Sequence, residues 1–290
     1  MDNVVSFSNH KTVRSIENDS IFFPVHEAPF TAMLGDGNIL EDPARKIVYR
    51  SDTNQVLGVH SNGYKLVRNE EIFPQFEQAL ARSSIDLNGM KVRDTVAFDG
   101  ASTFRSYVFP EHNVNVNRAV GDIVNMELRV INSYDGSKAF QSIVGGNRLI
   151  CLNGMVSMDK YAQTYGKHTA NLNIADVAKK VNSALYVFME EQEKWRKWIN
   201  TPITDLQVLH VLQSMPGHNE ALEKKIFGYY RDETNSLGKT TWALYNALTY
   251  WSTHESVRTS SEGNVASIVV EREARVRRTM NNNAFLAMAA

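Results

Sequence analysis

Apolar positions along this chain change their period once. Between residues 46 and 156 they come in short runs separated by Asp, Asn and Gly; beyond residue 173 they recur every three or four positions. "KIVYR" and "VLGVHSNGYKLV" flank Asp52-Thr53-Asn54-Gln55 and predict a β-hairpin. "TVAF" and "STFRSYVFP" flank Asp99-Gly100 and predict a second. Between them, "NEEIFPQFEQALARSS" predicts a helix. Asn69 is placed to accept from first-turn amides, and Glu70 and Glu71 suit the positive end. Pro74 lacks an amide proton, so the helix is expected to kink or start late.

"VNMELRVINSYDGSKAFQSIVGGNRLICLNGM" is the densest turn region. Asp135-Gly136 predicts a two-residue turn with Tyr134 opposite Ser137. That register sets Leu128 against Ile143, Val130 against Gln141 and Ile131 against Phe140. Side chains alternate, so Val124, Met126, Leu128, Val130 and Ile143 form a core face. Asn125, Glu127, Arg129 and Lys138 fall on the other face beside Ile131 and Phe140, with Phe140 on the solvent side. Gly145-Gly146-Asn147 predicts another turn, with "RLICL" returning as a strand. Turn chemistry accounts for the glycines.

In "NIADVAKKVNSALYVFMEEQEKWRKWI" the positions Ile174, Val177, Val181, Leu185, Phe188, Trp195, Trp198 and Ile199 have helical spacing, with Asn173 as a cap. Thr201-Pro202 predicts a break and a new start, since proline suits the first helical position. "ITDLQVLHVLQSM", "NEALEKKIFGYY", "KTTWALYNALTYWSTH" and "NVASIVVEREARVRRTM" predict four more helices. The fold class expected is α+β: an N-terminal antiparallel β-meander in a twisted sheet, followed by a C-terminal helical half. Residues 1–43 read as an irregular arm, 44–168 as β-rich and 169–290 as helical, with 44–290 expected as one compact unit.

Composition narrows the function classes. A net charge of −1 over 290 residues gives no bulk grip on nucleic acid or acidic lipid, so any such site is a local patch. One cysteine, Cys151, permits neither an internal disulfide nor a cysteine zinc site within the chain. No apolar run approaches the ~20 residues that span a bilayer, and no signal-peptide core is present. A soluble, cytoplasmic protein is the expectation.

Motifs of known chemistry are weak. "LGKTTW" resembles the tail of a phosphate-binding loop, but the position requiring the first glycine is Glu233 and no buried strand precedes it. It reads as a helix start with Gly238 as a hinge. Eight histidines show no metal-binding spacing, so no metal and no cofactor are implied. Glu190, Glu191 and Glu193 lie among basic residues and read as a solvated helix face. The aromatics Trp195, Trp198, Trp242, Tyr245, Tyr250 and Trp251 have core spacing. Arg272, Arg275, Arg277 and Arg278 lie where a helix dipole favours cations. What remains is Arg129, Lys138 and Arg148 near Phe140 and Tyr134: positive charge beside aromatics on a sheet, one way to hold single-stranded nucleic acid.

Four segments together resemble the phage/plasmid-like domain-of-unknown-function family 932. They are Gly58, Val59 and Tyr64; Arg129 with Asn132, Ser133, Tyr134, Asp135, Gly136 and Ser137; Arg148, Cys151 and Asn153; and Trp242, Asn246 and Tyr250. The resemblance covers roughly residues 45 to 255. It implies a mobile-element context and assigns no activity or catalytic residues. The function expected first is local single-stranded DNA binding in phage DNA metabolism, of an annealing or recombination kind. Arg129, Lys138 and Arg148 would neutralise phosphates, and Phe140 or Tyr134 would stack a base. The alternative is an interaction module that inhibits a host protein such as a defence system. An enzyme is the third class, because no catalytic constellation assembles from sequence. Self-association through unpaired strand edges stays open.

Overall fold

The computed structural model describes residues 20–115, 123–148, 154–156, 163–168, 183–257 and 265–290. Strands β1 (Val25–Met33), β2 (Ile39–Arg50) and β3 (Gln55–Ser61) form an antiparallel three-stranded sheet. A second antiparallel sheet runs β4 (Lys91–Ala97), β5 (Ser102–Asn115), β6 (Ile123–Ser133), β7 (Phe140–Arg148). β8 (Gly154–Val156) and β9 (Gln163–Gly166) both pair along the remaining edge of β7. Helix α1 (Asn69–Ala81) joins the sheets. Then follow α2 (Ala184–Asn200), α3 (Asp205–Gln213), α4 (Glu220–Leu237), α5 (Thr241–His254), α6 (Val265–Met280) and α7 (Asn283–Ala289). The chain is therefore α+β, strands first and helices after.

The larger sheet is covered on both faces. On the first, Tyr107, Phe109, Met126, Leu128, Val130, Phe140 and Val144 join α1 and the helical half in one continuous core. On the second, Ala97, Phe104, Ile131 and Ile143 form a small patch under Ala266 and Val270 of α6. The other end of α6 returns to the main core through Val276 and Met280. A third cluster, Phe23, Val25, Val48, Leu57, Ala101 and Tyr134, fastens the small sheet to the large one.

The β6–β7 register differs from the sequence expectation by one residue. Leu128 faces Val144, Val130 faces Ser142 and Ile131 faces Gln141. The link is not a two-residue turn: β6 ends at Ser133 and β7 begins at Phe140. Side chains widen it. Asp135 accepts from the Ser133 hydroxyl and the Ser137 amide, Ser133 Oγ accepts from the Lys138 amide, and Tyr134 N donates to the Ala101 carbonyl. A one-residue slip moves every side chain of the partner strand to the opposite face. Phe140, expected at the solvent side, is therefore in the main core, and Ile143 lies on the second face.

Other expectations are corrected too. Residues 25–43 are not irregular but build β1 and the start of β2. Gly145, Gly146 and Asn147 are not a turn; they lie within β7, paired to β6 on one edge and β8 on the other. Bonding on both edges outweighs the low strand preference of glycine. Asn69 does not cap α1. It is buried, and Arg68 occupies the cap position without a side-chain bond. α1 starts at Asn69 with Pro74 inside it. Pro202 is not a first helical residue: it bridges Thr240, and α3 starts after Thr204, whose capping box with Gln207 satisfies the helix end. Asn173, Ile174, Val177 and Val181 lie outside the described residues.

Candidate functional site

The first and second family-like segments meet at the 132–137 loop. Gly58 on β3 lets the loop approach. A Cβ there would lie 2.6 Å from His60 Nε2 and 2.9 Å from the Tyr134 carbonyl oxygen. His60 donates from Nε2 to that carbonyl at 2.7 Å, and Tyr64 donates from its hydroxyl to the Ser133 carbonyl at 3.1 Å. Gly136, at φ +74°, takes the left-handed backbone the turn requires. Beneath the loop, Asn132 Nδ2 donates to the Val67 carbonyl and to Asn69 Oδ1. Asn69 Nδ2 in turn donates to the Ile21 carbonyl and Thr103 Oγ1, and its amide donates to the Tyr134 hydroxyl. This network ties β6 to the start of α1.

Three rings stack beside the loop. His60 lies on Tyr64 with centroids 3.8 Å apart, and His168 covers the other face of Tyr64 at 5.2 Å. His168 Nδ1 faces the Lys65 carbonyl at 3.3 Å, and its buried Nε2 has no partner among the described residues. Burial pushes the His168 pKa below the ordinary histidine value, with His60 adding to the effect. Burial, then the Asp135 charge, pushes the Tyr64 pKa up. For Asp135, burial acts upward, but bonds from Ser133 and Ser137 outweigh it and hold the carboxyl below the usual range.

The residues expected to grip nucleic acid are placed elsewhere and turned inward. Arg129 lies on the second sheet face under α6, bonded to Glu273 at 2.6 Å and Glu127 at 3.1 Å. Glu273 is 3% exposed. Burial acts to lower the Arg129 pKa, but the two carboxylates outweigh it and raise it. The same arginine outweighs burial at Glu127 and holds that carboxyl below its ordinary value. Lys138 donates to Ser267 on α6 at 2.7 Å. Arg148, 4% exposed, donates to Asn246 on α5 at 2.6 Å, with Glu233 at 3.6 Å. Trp242 and Asn246 flank it, since Asn246 Nδ2 bonds the Trp242 carbonyl. The third and fourth family-like segments thus meet as well. Tyr134 and Phe140 are fully buried, so neither presents a face to a base. Asn132, Asp135 and Gly136 form the loop described above. Asn153 and Cys151 lie outside the described residues.

Two of the remaining basic candidates, Arg272 and Arg275, are also used internally, while Arg278 is exposed. Arg272 bonds the Glu255 and Ser256 carbonyls, and Arg275 those of Pro216 and Gly217; both guanidinium groups lie over Trp251. Glu191, read as part of a solvated face, is 1% exposed and bonds Lys194. "LGKTTW" is the start of α5: Thr240 caps the Ala243 amide, the Thr241 amide donates to the Thr201 carbonyl, and Lys239 pairs with Asp205. The Gly238, Thr240, Thr241 and Ala243 amides are taken by the chain itself. Among the described residues no group of three His, Cys, Asp or Glu is placed to hold a metal ion, and no helix is long and apolar enough to cross a membrane.

One open feature was not singled out from sequence. β3 pairs with β2 only along Arg45–Arg50, so beyond Pro29 the β1–β2 hairpin continues as a two-stranded ribbon. Met33 is 81% exposed, Ile39 74%, Leu40 61% and Leu34 45%. The sequence signal was four large apolar residues within eight positions around Gly-Asp-Gly.

No curated protein and no solved structure matches the chain. A family model does match, over residues 56–284, which takes in the 132–137 loop, the ring stack and the Arg148–Asn246 contact. The chain belongs to the domain of unknown function family DUF932.

Proposed function

We propose that this chain is a non-enzymatic interaction protein whose ligand is another protein. One observation carries the reading: four large exposed apolar side chains gather on the tip of the β1–β2 ribbon, while Arg129 and Arg148 are bonded within the fold. Exposed apolar groups gathered on a projecting element favour a protein surface. The resemblance to phage/plasmid-like proteins supports a host protein, such as a defence component, as the target. A binding role is further supported by the 132–137 loop, where the Ser133 hydroxyl donates a hydrogen bond to Asp135 and His60 is committed to a carbonyl.

The test is capture from nuclease-treated host lysate beside fluorescence anisotropy with labelled single-stranded DNA at two salt concentrations. A stoichiometric host protein with no salt-dependent DNA binding is the expected result. Salt-sensitive single-strand binding that weakens in Arg129→Ala and Lys138→Ala would restore the nucleic-acid reading instead.

A further inference from the structure

The ribbon tip has unusual chemistry for a solvent-exposed hairpin. Met33 faces Ile39 and Ala32 faces Leu40 across the ladder. Alternation puts Met33 and Ile39 on one face and Ala32 and Leu40 on the other. Large apolar side chains are therefore exposed on both faces. Two strands alone are marginal in water, and a third strand or a packed surface normally completes them. Here β3 stops short, so the last four residue pairs project ~13 Å beyond the sheet at a strand rise of about 3.3 Å.

The tip is nonetheless built. Leu34 N donates to the Asn38 carbonyl and Gly37 N to the Leu34 carbonyl. Asp36 accepts from both the amide and the side chain of Asn38, which hold its carboxyl below the usual range. At the base, Asn62 on the chain after β3 bonds the Pro43 and Ala44 carbonyls. A ligand arm ordered before binding loses less freedom on docking. Pro29 within β1 denies that edge a full row of donors, so a face-on contact is favoured over strand addition.

Charge selects the partner. Residues 30–42 carry Asp36, Glu41 and Asp42 and no Lys or Arg. These carboxylates oppose an anionic lipid surface or a nucleic acid. Asp42 is paired with Arg45 at 3.5 Å, so two arms of the same chain laid together would bring Asp36 and Glu41 against their copies. What complements the tip is an apolar cleft with basic residues at its rim, wide enough to cover both faces of a two-stranded ribbon.

We infer that the β1–β2 arm inserts into an apolar, basic-rimmed cleft of a different protein. This rests on the protein-interaction reading above and specifies its surface. The experiment uses the full chain with a photo-crosslinking amino acid at Ile39, and in a separate preparation at Leu206, an exposed position on α3. Both are irradiated in host cells and the adducts are sequenced. The expected result is an Ile39 adduct with one other protein, mapped to an apolar cleft flanked by Lys or Arg. In lysate its yield falls roughly thirtyfold with Met33→Asp. It also falls with Asp36→Lys plus Glu41→Lys, and about tenfold from low to high salt. Met33→Leu keeps it. An adduct of twice the chain mass, a lipid or nucleic-acid adduct, or a yield indifferent to salt would overturn the inference. A protein adduct from Leu206 with none from Ile39 would remove the arm but leave the interaction reading standing. No protein adduct from either site would remove both.

Discussion

Tyr134 and Ile39 each border a tight turn that joins two antiparallel strands, yet Tyr134 is fully buried and Ile39 is 74% exposed. The 132–137 loop folds back onto its neighbours: Gly58 permits the approach, His60 and Tyr64 bond its carbonyls, and Asn69 supports it from below. The arm does the reverse. Among the described residues its turn bonds only to itself, and its support ends at Asn62. One hairpin is a part of the core, and the other is a projection whose apolar groups are exposed. Substitution should therefore harm stability at the first and binding at the second.

The comparison breaks most sharply at Tyr134. Tyr134→Ala removes a fully buried ring and should cost about 3–5 kcal/mol in urea unfolding. Tyr134→Phe, which deletes only the hydroxyl that accepts from Asn69 N, should cost about 1–2 kcal/mol. The second sheet face gives the next effect. Glu273→Gln weakens a buried pair with Arg129 and should cost on the order of 3 kcal/mol, because Arg129 stays buried with Glu127 alone. A native-like midpoint for this variant would mean that α6 does not hold the sheet through that contact.

The ring stack supplies a pH-dependent test. The folded-state pKa of His168 lies below the ordinary histidine value. Its neutral, buried form therefore contributes stability in full above that value, and the contribution is lost as pH falls toward the depressed folded value. The melting temperature should drop more between pH 7.5 and pH 5 in the natural chain than in His168→Gln. Equal drops would show that the stack is not the acid-sensitive element. The smallest effect belongs to the arm: Met33→Ser and Ile39→Ser should each leave unfolding free energy within about 0.5 kcal/mol. A larger loss would mean that the tip packs against the body and is no free arm.

Much of the architecture was legible along the chain. The Asp52–Gln55 and Asp99-Gly100 turns lie between the strands they were expected to join, and the helices begin near Asn219, Thr240 and Val265. Local signals suffice there, because caps and turns act over three or four residues. The residues of the expected nucleic-acid patch are placed differently for a tertiary reason. Asp-Gly favours a two-residue turn, but Ser133, Tyr134 and Ser137 recruit bonds that enlarge it, and the altered register buries Phe140. The carboxylates that take Arg129 and Arg148 come from Glu127, Glu273 and Glu233, and two of the three lie more than 80 positions away in sequence. No short-range pattern reports such a pairing.

Beyond residue 43, and apart from the strand through Gly145–Asn147, the sequence by itself determined the order of the described strands and helices, because alternation, helical spacing, capping residues and turn glycines each act within one element. The tertiary structure decided which charged and aromatic groups face water. Burial depends on register and on what packs across a face: α6 closes the sheet over Arg129, α5 closes over Arg148, and β3 stops short of Met33 and Ile39. Exposure is thus a property of the assembled layers, and in this chain it leaves the apolar arm open while Arg129 and Arg148 are bonded beneath the helices.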